Sequence, residues 1–303
     1  MNLPGTHRAN RPFFGCLILL LVALLSVAAF PPESTHDDLM EEDSVELSMD
    51  GSTMDNDTPD TNYVVLQVLP HDDRAFTQGL TYFNGNLWEG TGLYHESELR
   101  RVDPNTGTVL QTHKLESKYF GEGIAHFTDK DGNGRIIQIT WKRQVGWIYN
   151  AETFEIVKEF TYSTKTTEGW GITYNENENE FIVSDGSSHL FFWDRDTLEQ
   201  KRHVEVHIKF SVEDDSLKQP MNLLNELEWH KGAVLANVWY QDYLLRIDPA
   251  TGSVSHIYDF SNLYQNRAQS ADCFNGISVT DMEDELWVTG KHWPNMYRIK
   301  LLV

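Results

Sequence analysis

The sequence predicts an all-β chain folded as a five-bladed β-propeller of four-stranded antiparallel blades, and three observations predict it. First, a short pattern occurs five times: a polar or aromatic residue, then a small or turn-forming one, then Leu or Ile. The copies are Gln78-Gly79-Leu80, Glu122-Gly123-Ile124, Trp170-Gly171-Ile172, Asn225-Glu226-Leu227 and Asn275-Gly276-Ile277. Their central positions lie 44, 48, 55 and 50 residues apart, a period that belongs to architectures built from stacked supersecondary units. Second, from Tyr63 onward alternating apolar residues and turn signals recur, and helical periodicity is nowhere sustained. Third, the fifth repeat ends after its third strand, whereas an unassigned strand, 63–69, precedes the first repeat. That N-terminal strand is therefore expected to join the last blade and close the ring. A leucine-rich solenoid or a β-sandwich would also contain many strands, but neither predicts this complementary shortfall at the two ends.

Taken in order, the chain begins with Arg8 and Arg11 ahead of an uncharged apolar run from Phe13 to Phe30, ending in Val27-Ala28-Ala29 just before Phe30. Residues 1–30 are read as a signal peptide cut after Ala29 or as an uncleaved anchor long enough to cross a bilayer. Both readings send the rest of the chain into the secretory lumen or outside, because the positive flank stays cytoplasmic. Residues 31–62 are read as an acidic disordered linker. The stretch from Glu33 to Asp60 holds eleven Asp and Glu and no Lys or Arg, and it lacks the apolar surface that would offset its ordering entropy. The sequon Asn56-Asp57-Thr58 lies within it.

Residues 63–303 are the propeller. In the first repeat Gly79 to Phe83 reads as a strand, Asn84-Gly85 as a hairpin turn and Leu87 to Glu89 as the second strand. Glu98 to Val102 is the third strand and Thr108 to Leu115 the fourth, joined by Asp103-Pro104-Asn105-Thr106-Gly107. Comparable turns follow at Asn150-Ala151-Glu152-Thr153, Asp194-Arg195-Asp196-Thr197 and Asp248-Pro249-Ala250-Thr251-Gly252.

Composition narrows the function classes. The chain has 303 residues, 40% of them hydrophobic, so a large core is available. Its net charge of -22 argues against nucleic acid and anionic lipid as partners, since phosphate-binding surfaces need clustered Lys and Arg. Cys16 lies in the apolar N-terminal run and Cys273 is the only thiol of the folded part, so no intradomain disulfide is expected. No nucleophile elbow, Walker loop, dinucleotide fingerprint or zinc-protease motif is present. His203 and His207 share one face of an expected strand, which leaves a metal site there open. Asp129-Lys130-Asp131-Gly132-Asn133-Gly134 resembles a calcium loop without its distal Glu and reads better as a hairpin turn.

In a propeller the first strand of each blade lines the central channel. The residues just before the five anchors are Gln78, Glu122, Trp170, Asn225 and Asn275, a variation that a purely structural repeat would not show. Aligning the ends of the second strands places Thr91, Trp141, Gly186, Trp239 and Lys291 in register, with Glu89 and Asp185 nearby. Aromatic walls with a few convergent polar groups suit a small-molecule or peptide-end pocket. Taken singly, each Trp is as well read as packing between blades. Glu122 between two glycines is harder to read as packing, because a carboxylate in a semi-enclosed channel must be paired or used. Lys291 is one such partner.

With these motifs assembled, the chain resembles the plant-type glutamine cyclotransferases, a family of five-bladed propellers. The resemblance runs over Tyr63 to Leu301. It rests on Phe-Thr-Gln-Gly-Leu at 76–80, Glu-Gly-Thr-Gly-Leu-Tyr at 89–94, Phe-Gly-Glu-Gly-Ile at 120–124 and Thr-Trp at 140–141. Further support comes from Glu-Gly-Trp-Gly-Ile at 168–172, Ser-Asp-Gly-Ser at 184–187, Asn-Glu-Leu-Glu at 225–228, Ala-Asn-Val-Trp at 236–239 and Thr-Gly-Lys-x-Trp at 289–293.

The resemblance implies conversion of N-terminal glutaminyl residues of peptides or proteins to pyroglutamate with release of ammonia, without a metal or other cofactor in catalysis. It places pocket residues at Phe76, Gln78, Phe120, Glu122, Trp141, Trp170, Asn225, Trp239 and Lys291. Glu122 is expected to shuttle the proton. Lys291, Asn225 and the indole N–H groups of Trp141 or Trp239 are expected to hold the amide and oxyanion. Phe76, Phe120 and Trp170 would form walls, Gln78 would orient substrate, and Glu89 is a second acid. Membrane contact is expected only through an uncleaved N-terminal segment, and the chain is expected to act as a monomer. The competing class is an extracellular propeller that binds peptides or glycans without chemistry.

Overall fold

The computed structural model describes residues 62–210 and 217–302. The expected signal or anchor, the acidic linker up to residue 61 and the sequon lie outside the described residues. Those described form strands and turns, with no helix among them. Blade 1 comprises Thr77–Phe83, Asn86–Thr91, Glu98–Val102 and Val109–Lys114, and blade 2 Gly121–Thr128, Gly134–Thr140, Val145–Asn150 and Ile156–Thr161. Blade 3 comprises Ile172–Asn175, Glu180–Ser184, His189–Asp194 and Gln200–Glu205, and blade 4 Leu224–His230, Ala233–Val238, Tyr243–Ile247 and Val254–Asp259. Blade 5 takes Phe274–Val279, Glu285–Gly290 and Asn295–Leu301 from the end of the chain. Its fourth strand is Tyr63–Pro70, paired antiparallel from Tyr63 opposite Leu301 to Pro70 opposite Asn295. The ring thus closes with the strand the sequence had left over, one residue longer than expected.

Local chemistry explains the hairpins. Asn84 and Gly85 both have positive φ, 48° and 77°, the conformation of the tight turn whose twist matches antiparallel strands. Asp129 accepts N–H bonds from Asp131 and Asn133 and pairs with Arg135, so this acidic loop is a turn closed by its own hydrogen bonds. The long step between the third and fourth anchors holds an added hairpin, His207–Lys209 with Lys218–Pro220. His203 and His207 therefore lie on different strands of different sheets, and the shared face expected for them does not form.

The core is distributed around the ring. Among the described residues, five hydrophobic clusters occupy the five interblade interfaces: Trp88 packs with Tyr149 between blades 1 and 2, and Phe127 with Phe181 between blades 2 and 3. Phe192 meets Leu227 between blades 3 and 4, Tyr258 meets Phe274 between blades 4 and 5, and Leu80 meets Trp287 between blades 5 and 1. No blade could bury its faces alone, which is why the repeat number must close a ring. A sixth cluster lies apart from these interfaces and gathers Phe76, Phe120, Trp141, Trp170, Trp239 and Cys273.

The inner strands approach one another backbone to backbone at the anchors. Gly123 donates its N–H to the Trp170 carbonyl at 2.8 Å, and a Cβ added there would lie 2.7 Å from the Ile172 nitrogen. Blade 4 is the exception. Its anchor, Glu226, sends a buried carboxylate to the N–H groups of Leu80 in blade 1 and Ile277 in blade 5.

Candidate active site

The inner strands of blades 1, 2, 4 and 5 each break register, between Thr77 and Gly79, Gly121 and Ile124, Leu224 and Leu227, and Phe274 and Ile277. A β-bulge re-aims the side chains it carries. The residues within these breaks include Gln78, Glu122, Asn225 and Asn275, four of the five positions marked out by the repeat. All four are buried, between 0% and 2% exposed. In blade 3 the inner strand starts only at Ile172, so Trp170 sits on the loop that leads into it.

A second recurring contact sets the walls. The residue that follows the second strand donates its N–H to a carbonyl just before the first: Gly92 to Phe76, Trp141 to Phe120, Trp239 to Leu223 and Lys291 to Cys273. Residues 76, 120, 223 and 273 each stand three places before an anchor. Their side chains meet in the aromatic cluster, with Leu223 at its margin. Phe120 stands edge-on to Phe76 at 6.1 Å and to Trp141 at 5.6 Å, and Trp170 edge-on to Trp239 at 5.5 Å.

Polar groups enter this cage from several sides. Gln78 Nε2 donates to Glu122 Oε1 at 3.0 Å. Lys291 is fully buried, with its Nζ 4.7 Å from the Phe76 ring centroid. Among the described residues its ammonium has no hydrogen-bond partner, and neither do Gln78 Oε1 and Asn225 Oδ1. A buried donor and two buried acceptors left open is an arrangement that folding alone disfavours. Burial pushes the Glu122 carboxyl well above the usual carboxylate range; the nearby Lys291 charge pulls it back and the Glu168 charge pushes it further. Burial likewise pushes the Cys273 thiol up to about 11, so at neutral pH it is a neutral wall rather than a nucleophile.

Glu168 belongs to the Glu-Gly-Trp-Gly-Ile motif but lies outside the register position just before each anchor. One carboxylate oxygen, Oε2, accepts the indole N–H of Trp141 at 2.7 Å and that of Trp170 at 2.9 Å. It fixes two walls from neighbouring blades and adds a negative charge beside Glu122. Its position is again three before an anchor, the place held by Phe76, Phe120, Leu223 and Cys273 in the other repeats. That register was the available signal for Glu168, Leu223 and Cys273.

Glu89 is placed differently from the other selected residues. Its buried carboxylate accepts Thr77 Oγ1–H at 2.7 Å and pairs with His71 at 2.9 Å and Arg100 at 2.8 Å. Burial alone would raise its pKa, but Arg100, then His71 and Thr77, bring it down to about 2. Arg100 also grips Asp72, and His71 binds the Trp293 carbonyl. Glu89 therefore ties the segment after the closing strand to blade 1, and its oxygens are occupied by the protein itself.

A sequence model of the glutamine cyclotransferase family matches residues 40–301. A glutaminyl-peptide cyclotransferase of Arabidopsis thaliana is 34% identical over 257 residues, covering 83% of this chain and 75% of that protein. The crystal structure of the Myxococcus xanthus glutaminyl cyclase superposes with a TM-score of 0.67 at 30% identity, over 78% of this chain and 95% of that one. An aldose sugar dehydrogenase of Streptomyces coelicolor, in its PQQ-bound form, shares the fold alone, with a TM-score of 0.50 at 10% identity over 78% of this chain and 97% of that one.

Proposed function

The chain belongs to the glutamine cyclotransferase family and is a glutaminyl-peptide cyclotransferase, and from that premise we propose how its cage divides the work of closing an N-terminal glutamine into pyroglutamate. The observation that carries the division is the unpartnered, fully buried Lys291 ammonium whose charge acts on Glu122.

Both reacting groups belong to one residue, so the protein supplies orientation, proton transfer and charge stabilisation rather than a second reactant. The α-amine attacks the side-chain carboxamide carbon, a C–N bond forms and the amide oxygen gains negative charge. Lys291 faces that charge in a dry cage, where an oriented cation acts far more strongly than in water. The Asn225 and Gln78 side-chain oxygens accept from the substrate's amine and amide N–H groups. Glu122 takes the proton that the attacking nitrogen sheds and delivers it to the departing nitrogen. The C–N bond of the carboxamide then breaks, and ammonia leaves.

One group must accept and donate within a single turnover, so its proton affinity has to approach that of an amine, whose ordinary pKa is about 8. The upward push on Glu122 is in that direction. Phe76, Phe120, Trp141, Trp170 and Trp239 exclude water and hold the folded-back side chain. The Trp141 indole N–H is given to Glu168, so oxyanion stabilisation falls to Lys291 rather than to that indole.

The apolar run from Phe13 to Phe30 supports action in the secretory lumen or outside, and one chain supplying every wall of the cage supports action as a monomer. N-terminal sequencing of the mature chain distinguishes cleavage after Ala29 from retention as an anchor. The activity is tested by mass spectrometry of a Gln-initiated peptide incubated with the protein. Loss of one ammonia is expected from the free peptide and none from its Nα-acetylated form, because acetylation removes the nucleophile. A free peptide left unchanged overturns the assignment.

A further inference from the structure

The chain as a whole is strongly acidic, yet one part of the rim around the cage is not. Lys118 lies in the loop that leads to Phe120, and Lys142 and Arg143 lie in the loop that follows Trp141. All three are exposed. The two loops are clasped together, because Arg143 Nε donates to the Lys118 carbonyl at 3.3 Å and Trp141 N donates to the Phe120 carbonyl at 3.1 Å. Lys142 Nζ sits 3.7 Å from the centroid of the Trp141 ring, which seats one cation directly on a wall of the cage. Lys118 is neutralised in part by Glu116 at 2.9 Å. Lys142 and Arg143 have no carboxylate within ion-pair distance among the described residues.

On other loops of the same rim several charges are already paired, while Asp73 and Glu96 are exposed acids outside any ion pair among the described residues. Asp72 is shared by Arg74 and Arg100, Asp242 is paired with Arg267, and Asp185 is taken up by Thr166 and Ser187. A peptide whose first residue is held in the cage must carry its second and third residues out across this rim. Blade 2 supplies Phe120, Trp141 and Glu122, so its outer loops lie next to the residues that grip the N-terminus.

Resting on the cyclotransferase reading of the cage, we infer that Lys142 and Arg143, with Lys118, form a secondary subsite for acidic side chains immediately after the N-terminal Gln. The preferred substrates are thus Gln-initiated peptides with Asp or Glu in the next positions. Exposed charges are screened and individually weak, so the effect is a selectivity of about fivefold to tenfold in kcat/KM rather than an absolute requirement.

The test compares kcat/KM of the full chain for Gln-Glu-Glu, Gln-Ala-Ala and Gln-Lys-Lys peptides at about 20 mM and about 500 mM salt. Glutaminamide, which has no following residue, is the internal reference. The wild type is expected to prefer the acidic over the basic peptide at low salt and to lose most of that preference at high salt. Lys142→Glu/Arg143→Glu is expected to invert the ratio after each value is normalised to that variant's own glutaminamide turnover. Arg143→Glu alone, which leaves the cation on Trp141 in place, is expected to reduce it. A wild-type ratio near one, or a ratio the double variant leaves unchanged while glutaminamide is still cyclised, overturns the subsite. Wild-type protein that releases ammonia from neither glutaminamide nor any peptide overturns the cyclotransferase reading on which the subsite rests.

Discussion

At the scale of single residues, the cage contains two carboxylates with opposite surroundings. Glu122 is buried, accepts only Gln78 Nε2–H among the described residues and has its proton affinity pushed up. Glu168 is half-exposed and accepts two indole N–H bonds. Glu122→Gln retains the size and can still meet Gln78, but cannot carry a proton back and forth. Steady-state ammonia release should fall about a hundredfold to ten-thousandfold, with the thermal transition little changed. Near-native turnover in a folded Glu122→Gln protein would remove Glu122 from the chemistry. Glu168→Gln tests positioning. Removing its charge takes away one influence that raises the Glu122 pKa, so the limb of the kcat/KM profile that reports Glu122 should move to lower pH. A purely structural loss would lower activity without moving that limb. The sequence had singled out Glu122 and Lys291 by chemical type, since an acid and a base are conspicuous among glycines and apolar residues. Glu168 was not legible in that way, because it stands three places before its anchor, where the other repeats carry apolar residues that read as packing.

At the scale of the element, the inner strand reconciles two demands by means of its bulge. Its glycine lets neighbouring backbones touch, and the adjacent residue is turned into the cage. The tightest backbone approach is at Gly171, in the loop that enters the inner strand of blade 3, which has no bulge: an added Cβ there would stand 2.0 Å from the Asn225 carbonyl oxygen. Gly171→Ala must push blades 3 and 4 apart at the point that places Asn225, and overpacking of this kind costs about 3 kcal/mol. Denaturant unfolding should show that loss, and the surviving native fraction should have reduced kcat through displaced Asn225. Unchanged stability and kcat would mean that the inner strands tolerate separation there. The hairpins and their Asx-type turns were legible because they depend on local chemistry. The bulges were not, because a register break is defined only against a partner strand.

For the whole molecule, the ring is tied across its axis by acids from blade 4. Glu226 reaches the N–H groups of Leu80 and Ile277, and Glu228 accepts that of Val279. Burial raises the Glu228 pKa from 4.5 to about 8, and its hydrogen bonds only partly oppose the rise. A carboxyl that holds its proton more tightly when folded contributes stability that is complete below its unfolded pKa and is lost as pH rises through its folded pKa. For Glu228 that window runs from 4.5 to about 8. Thermal midpoints measured across it should decline more steeply in the wild type than in Glu228→Gln, which has no proton to lose. Parallel slopes would show that Glu228 does not set this dependence. The sequence by itself determined the ring: five anchors, the turn chemistry and the complementary ends require five blades and a closing N-terminal strand, because each blade's exposed faces can be buried only by its neighbours. It also named most residues of the cage, since equivalent repeat positions converge on one axis. Only the tertiary structure decided which acids are open and which are spent. Glu89 and Glu122 are alike in the sequence, each followed by glycine and buried within a blade. Their difference lies in partners brought from elsewhere in the fold: Arg100 and His71 surround the one, while the other accepts a single bond from Gln78 and feels the opposing charges of Lys291 and Glu168.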